Sequence, residues 1–367
     1  MADEPFLLKE FFNPESVGAL GAAVAAADPS FDGARFMAVV FDDGWEGLEL
    51  KQRMRHITSV VRELLPAEYR EALAVLLDAA THAEGLGFPA MVFSDFVEAY
   101  GIDDWEASVP ALTTFTKLVS AEFAIRPFIA AEEERTLAQM VKWAHDPDPA
   151  VRRLATEGSR PRLPWGMRLH ALVADPRPVL PILDALRSDP DEVVRRSVAN
   201  NLNDIAKDHP EMVVEVLRRW ERDPDEHLPA LRKHALRTLL KNGDPEAMAL
   251  LGYAPDPPVR LVAIAVDPPQ PQIGGTAHLA FILQSVGTET VPLMVDYLIH
   301  FVKADGSTSP KVFKLKTLDL EPGAEMALRR KLTFAQMSTR THRPGTHRAE
   351  VQVNGTVIGG LDFELTE

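Results

Sequence analysis

One eight-residue pattern constrains this chain more than any other feature. It reads Asp146-Pro147-Asp148-Pro149-Ala150-Val151-Arg152-Arg153 and returns as Asp189-Pro190-Asp191-Glu192-Val193-Val194-Arg195-Arg196. A looser copy runs Asp223-Pro224-Asp225 and then Leu231-Arg232-Lys233. The two Val-Arg-Arg triplets stand 43 residues apart, and Leu-Arg-Lys follows 37 residues later. A period near 40 with two helices per unit is the mark of HEAT-type repeats. A single unit cannot bury its apolar stripe, so neighbours stack into a curved solenoid with a concave face. The Asp before each second helix is placed to cap it, and Pro suits a first turn whose amides have no partner.

The helical period extends from about residue 13 to 252. Leu73, Leu76, Leu77 and Ala80 recur at three and four, as do Val109, Leu112, Phe115 and Leu118. Tyr253-Ala254-Pro255-Asp256-Pro257-Pro258 then stops the helices, and Asp267-Pro268-Pro269-Gln270-Pro271 follows. Beyond it the period becomes two. Val295, Tyr297, Ile299 and Phe301 alternate with Asp296 and His300, and Leu361, Phe363 and Leu365 with Asp362 and Glu364. Asn354-Gly355 between β-rich runs predicts a two-residue hairpin. About seven short strands in roughly 110 residues suggest an immunoglobulin-like sandwich. The expected fold is thus an all-α HEAT-like repeat solenoid (an α-α superhelix) plus a C-terminal all-β immunoglobulin-like sandwich. The expected boundaries are 1–252 for the solenoid, 253–258 for a Pro-rich linker and 259–367 for the sandwich.

Charge bears on partners. The net charge is −15, which opposes phosphate binding at first sight. The excess acid is local: residues 1–105 carry 7 Lys/Arg against 19 Asp/Glu, a net of −12. Residues 106–255 carry 21 against 23, and residues 256–367 carry 11 against 12. The latter two-thirds are therefore balanced and free to present a basic face. The chain has no cysteine, which excludes disulfides, thiolate metal sites and thiol nucleophiles. The start, Met-Ala-Asp-Glu-Pro-Phe, lacks a basic segment, and no apolar run approaches the roughly 18 residues that span a bilayer. A cytoplasmic protein without a membrane partner is expected. There is no Gly-rich phosphate loop, no His-Glu-x-x-His and no Gly-x-Ser-x-Gly. His342 and His347 share a loop rather than a helix face, so no metal and no cofactor are expected.

The residues with chemical potential lie in three runs. In a helix over Val193–Lys207 the apolar stripe is Val194, Val198, Leu202 and Ile205, and Asn200 and Asp204 share a face away from it. The run Asn200-Asn201-Leu202-Asn203-Asp204 is rich in poor helix formers, a local cost expected at functional sites. The plainer reading has Asn201 tying two repeats together through the backbone. Glu157 follows Val151 by six residues, as Asn200 follows Val194. Stacking should therefore project Glu157 and Asp204 from adjacent helices toward one groove. Pairing of Glu157 with Arg153 at i−4 is the simpler alternative. Next comes Gly158-Ser159-Arg160-Pro161-Arg162-Leu163-Pro164-Trp165-Gly166, with two Arg for phosphate and a Trp to stack on a sugar or base. The Trp serves equally as a staple between repeats. Third is Ser120-Ala121-Glu122-Phe123-Ala124-Ile125-Arg126-Pro127-Phe128, where Glu122 and Arg126 form an i,i+4 pair.

Together these three runs resemble the AlkC branch of the HEAT-like alkylpurine DNA glycosylases, in the subgroup with a C-terminal immunoglobulin-like domain. The resemblance implies hydrolysis of the N-glycosidic bond of cationic alkylpurines, 3-methyladenine foremost, in duplex DNA and without a base-flipping pocket. It implies that Glu122, Glu157 and Asp204 meet the deoxyribose and that Trp165 lies beside that sugar. The sister AlkD branch centres on an Asp between two Trp, a pair not found here, so its mechanism is not carried over. Arg126, Arg160 and Arg162 are the first candidates for phosphate contacts. Arg196, Lys207, Arg232 and Lys233 are weaker ones. The loop 338–348 adds Arg340, Arg343 and Arg348 and holds no acid. Two other readings stay open. One is a non-catalytic HEAT scaffold for protein or damaged DNA; the remoter one is a sugar hydrolase.

Overall fold

The structure, a computed structural model, describes residues 7–336 and 341–367. The chain divides into two compact units, residues up to 209 with 224–235, and residues 210–223 with 236–367.

The first unit is helical throughout, and its repeats are built as the Asp-Pro pattern implies. Asp148 accepts from the Ala150 amide at 2.9 Å and caps the helix Pro149–Gly158. Asp191 accepts from the Val193 amide at 2.7 Å and caps Glu192–Ile205. Asp225 does the same for Leu228–Ala235 through the amides of His227 and Leu228. Each cap satisfies an amide that the helix itself leaves unpaired, worth about 1 kcal/mol. The arginine of each copy wraps its own turn: Arg152 donates to the Asp146 and Pro147 carbonyls, Arg195 to those of Asp189 and Pro190. Arg152 also forks onto Asp189 of the next repeat, at 2.6 and 3.0 Å. The stripe Val194, Val198, Leu202 and Ile205 is buried, and the helix packs against both Pro149–Gly158 and Leu228–Ala235. Each such Val, Leu or Ile stabilises by roughly 1.5–3 kcal/mol. Leu73, Leu76, Ala80, Val109, Leu112 and Phe115 are likewise core; Leu77 and Leu118 are half-buried.

The second unit holds the helices Pro210–Trp220, Arg237–Asn242 and Pro245–Leu250 together with a β-sandwich. Its strands are β1 Val259–Asp267, β2 Thr276–Ser285, β3 Val291–Val302, β4 Thr308–Leu320, β5 Glu325–Thr333, β6 Gly345–Val353 and β7 Thr356–Leu365. They form two antiparallel sheets, ordered β1-β2-β5 and β4-β3-β6-β7. Asn354 and Gly355 join β6 to β7 with φ of 47° and 83°, the left-handed pair that a two-residue hairpin turn requires. The Asn354 amide also donates to the Ala254 and Pro292 carbonyls, and its oxygen accepts from the Met294 amide. The Pro-rich segment is thereby held against this turn, with Thr356 donating to the Pro255 carbonyl.

Strand β3 departs from simple alternation. Val295, Tyr297 and Ile299 are buried as expected, but Asp296 on the other face is only 2% exposed. The strand is central in its sheet, and the end of the helix Arg237–Asn242 comes against Gln352 and Gly355, beside it. Both faces are therefore covered. Among the described residues, no helix is long and apolar enough to cross a membrane.

A candidate carboxylate cleft

Repeat stacking sets the geometry of the site. Glu157 sits at the end of the helix Pro149–Gly158, and Asp204 at the end of the next equivalent helix, Glu192–Ile205. Arg160, just past the first helix, lies between them. Its Nη1 donates to Glu157 Oε1 at 2.5 Å and its Nε to Asp204 Oδ2 at 2.8 Å. Ser197 donates to Glu157 Oε2 and itself accepts from Thr156. Lys207 donates to Asp204 Oδ1 at 2.8 Å. Every oxygen of Glu157 and Asp204 thus meets a donor, and the two residues are 5% and 1% exposed. Burial works against the charge of Arg160, yet its bonds to Asp204 and Glu157 prevail and raise its pKa above the ordinary arginine value.

Glu122 completes the set from the turn before the helix Arg126–Ala131. Its Oε2 accepts from Ser120 at 2.8 Å and from Arg153 at 3.0 Å. Arg153 also stands 3.9 Å from Glu157 Oε1, so it links the two glutamates. Glu122 Oε1 accepts no hydrogen bond from the described residues.

Glu122, Glu157, Arg153 and Arg160 form the polar end of a cleft of about 410 Å³. Its walls are apolar: Phe12, Met54, Phe88 and Met91 from the acidic first third, Phe123 and Leu163 from the middle. Trp165 forms the lip, 66% exposed and with a left-handed φ of 61°. An exposed indole beside carboxylates offers a flat face to a sugar, and the staple role weighed for it is not what the exposure describes. Glu122, Glu157 and Trp165 therefore line one cavity. Asp204 does not reach it directly. It stands one layer deeper, behind Arg160, because its helix has neighbours on both flanks.

Two arginines expected to meet phosphate do not face solvent. Arg126 is 0% exposed; it donates to the Gly158 carbonyl at 2.8 Å and to the Met167 carbonyl at 2.8 Å. Burial, with repulsion from Arg160, lowers its pKa to about 10. It is a clamp on the loop 158–167, and the expected Glu122–Arg126 pair is replaced by Glu122–Arg153. Arg160 is occupied by the two carboxylates. Asn201 behaves as the plainer reading had it, donating to the Thr156 carbonyl at 2.9 Å and to Ser159 at 3.2 Å.

The remaining candidate phosphate ligands are spread widely. Arg162 forks onto Asp208, Lys207 donates to one oxygen of Asp204, and Arg196 pairs with Glu192. Arg196 lines a second groove of about 370 Å³ with Arg195, His227 and His234, and Asn200 bonds to His234 there at 2.8 Å. Arg232 is half-buried and Lys233 exposed on the helix Leu228–Ala235. In the sandwich Arg343 is exposed, and Arg348 is held by Glu350 and Asp362. Arg340 lies outside the described residues. Among the described residues no three His, Cys, Asp or Glu are grouped to hold a metal ion. Sequence reasoning missed Ser197, Thr156 and Lys51, which carry no local pattern; their partners lie dozens of residues away.

Comparison with known proteins bears on what such a cleft does. The family described as "Uncharacterised protein YhaZ, C-terminal Ig-like domain" matches residues 260–367, and HEAT repeats match residues 179–266. The uncharacterized protein YhaZ of Bacillus subtilis (strain 168) is 41% identical over 358 residues, covering 98% of this chain and 99% of that protein. Among solved structures, the Pseudomonas fluorescens alkylpurine DNA glycosylase AlkC, bound to DNA containing an abasic site analog, is 39% identical. It superposes with a TM-score of 0.91 over 99% of this chain and 100% of that one.

Proposed function

Because the chain belongs to the AlkC family of alkylpurine DNA glycosylases, we propose that it excises cationic alkylated bases, 3-methyladenine foremost, from duplex DNA through the carboxylate cleft. The observation that carries this reading is the convergence of Glu122, Glu157 and Trp165 on one cavity.

The chemistry needs little from the protein at the base. Alkylation at N3 or N7 makes the purine a cation and hence a good leaving group, so no general acid is required, unlike in hydrolysis of ordinary glycosides. As the C1′–N bond breaks, its electron pair goes to the base and positive charge develops on the deoxyribose. Glu157, pinned by Arg160 and Ser197, is a fixed anion at the cleft floor, where preorganised charge stabilises such a sugar. Asp204 acts from behind Arg160, orienting that guanidinium and with it Glu157. Glu122, with Oε1 open, accepts the proton of a water molecule as its oxygen bonds to C1′. Trp165 packs its face on the sugar. The base stays out of any extrusion pocket, and the first step of repair ends with an abasic site.

Phosphate contacts fall to the exposed cations Lys233, Arg196 and Arg343, with half-buried Arg195 beside Arg196 in the second groove and half-buried Arg162 through its own open edge. We place the protein in the cytoplasm, on the nucleoid when bound. No cofactor enters the scheme. Incubation with methylated duplex and chromatography of the released bases tests the reading. Release of 3-methyladenine is expected; tight duplex binding with no release would favour the scaffold instead.

A further inference from the structure

The acidic first third of the chain lies outside the three runs that define the site, yet it lines the same cleft, and one of its lining side chains hydrogen-bonds to Trp165. Lys51 is the second residue of the helix Leu50–Leu64, and its Nζ donates to the Trp165 carbonyl at 2.7 Å, 114 positions away. On the way its ammonium lies over the Phe123 ring, 4.3 Å from the centroid. A cation in the first turn opposes the helix dipole, so the helix gains nothing from having Lys there.

Trp165 needs such support. A bulky residue with positive φ is strained and persists only where its surroundings impose it. The loop is gripped from below by Arg126, which takes the Gly158 and Met167 carbonyls at its two ends. A turn bond from the Gly166 amide to the Leu163 carbonyl, at 3.2 Å, folds it between those grips. That amide and the Trp165 carbonyl belong to one peptide unit, so Leu163 holds one edge of it and Lys51 holds the other.

We infer that Lys51 is a positioning residue: it fixes the left-handed backbone of Trp165 and so sets the angle at which the indole meets the deoxyribose. The inference rests on the glycosylase reading for its catalytic consequence, though not for its structural one. Where a loop residue only orients the substrate, misplacement costs turnover more than binding, and a displacement near 1 Å costs up to about a hundredfold.

The test uses the full chain with Lys51→Met and Lys51→Arg. Single-turnover release of 3-methyladenine from methylated duplex gives kcat-like rates and half-saturation. Time-resolved anisotropy, with each protein's Trp165→Phe partner subtracted, isolates the motion of that indole. Lys51→Met should slow release about tenfold with half-saturation little changed. It should also loosen the Trp165 indole. Lys51→Arg should restore both, since a guanidinium reaches the same carbonyl. Wild-type release and an unmoved indole in Lys51→Met would overturn the inference. So would weaker duplex binding with a shallower salt slope and an unmoved indole, which would make Lys51 a phosphate ligand. If the wild-type protein releases no base, the glycosylase reading fails, and the anisotropy still decides whether Lys51 holds Trp165.

Discussion

Arg160 and Asp204 are joined by a buried hydrogen bond of 2.8 Å across 44 positions of sequence, and the same guanidinium holds Glu157. Removing it strands two anions away from water. Breaking a buried pair on one side costs about 3–5 kcal/mol. Arg160→Met should therefore lower the unfolding midpoint markedly and abolish base release with it. Arg160→Lys keeps the charge but not the fork, and should fall between. Thermal denaturation decides: a wild-type midpoint for Arg160→Met would contradict the pairing.

Glu122 and Glu157 are predicted to fail differently. Glu122→Gln leaves the fold intact, since Oε1 has no partner to lose, and slows single-turnover release on the order of 10²-fold. Glu157→Gln slows it comparably and also destabilises, because its single amide oxygen cannot accept from both Arg160 and Ser197 and the charge that pairs with Arg160 is lost. Equal melting curves for the two variants would argue against this division.

Binding to duplex should respond to salt through exposed cations only. Lys233→Ala should weaken duplex affinity and reduce the slope of log K against log salt by about 1. Arg126→Lys should leave that slope alone and lower the melting temperature, since a single ammonium lacks the fork that reaches both carbonyls. A shallower slope for Arg126→Lys would restore it to the phosphate ligands.

Asp296 gives a pH dependence. Burial raises its pKa from 3.8 to about 6, against the pull of Lys314 and a backbone amide. Its Oδ1 meets no hydrogen-bond partner among the described residues. Between those two values the folded protein keeps a proton that the unfolded chain has released. Stability must then fall as pH rises through that window, with the full loss above it. Asp296→Asn should be the more stable protein near neutral pH, by on the order of 2 kcal/mol. The two should converge at low pH, as urea midpoints across the range would show.

The fold was legible because its signals are local. The Asp148 and Asp191 caps and the Asn354-Gly355 turn each depend on a few adjacent residues, and the 43-residue period is the return of one such short pattern. The site was half legible. Stacking of adjacent repeats brings Glu157, and Asp204 one turn beyond its equivalent Asn200, to one guanidinium, but their depth does not follow from it. The helix Glu192–Ile205 packs on both flanks, so Asn201, Asn203 and Asp204 are interior despite being polar and off the apolar stripe. Arg126 looked like a phosphate ligand because the carbonyls that bury it lie 32 and 41 positions away. Lys51 gave no signal at all for the same reason.

The fork from Arg152 to Asp189 binds one repeat to the next at the step that separates Glu157 from Asp204. Most stacked-repeat proteins lengthen or shorten by gaining or losing whole modules. Here a module inserted at that junction would divorce the two acids from their common arginine. The spacing of those two repeats is for that reason fixed by one guanidinium, and growth by duplication is closed at that junction.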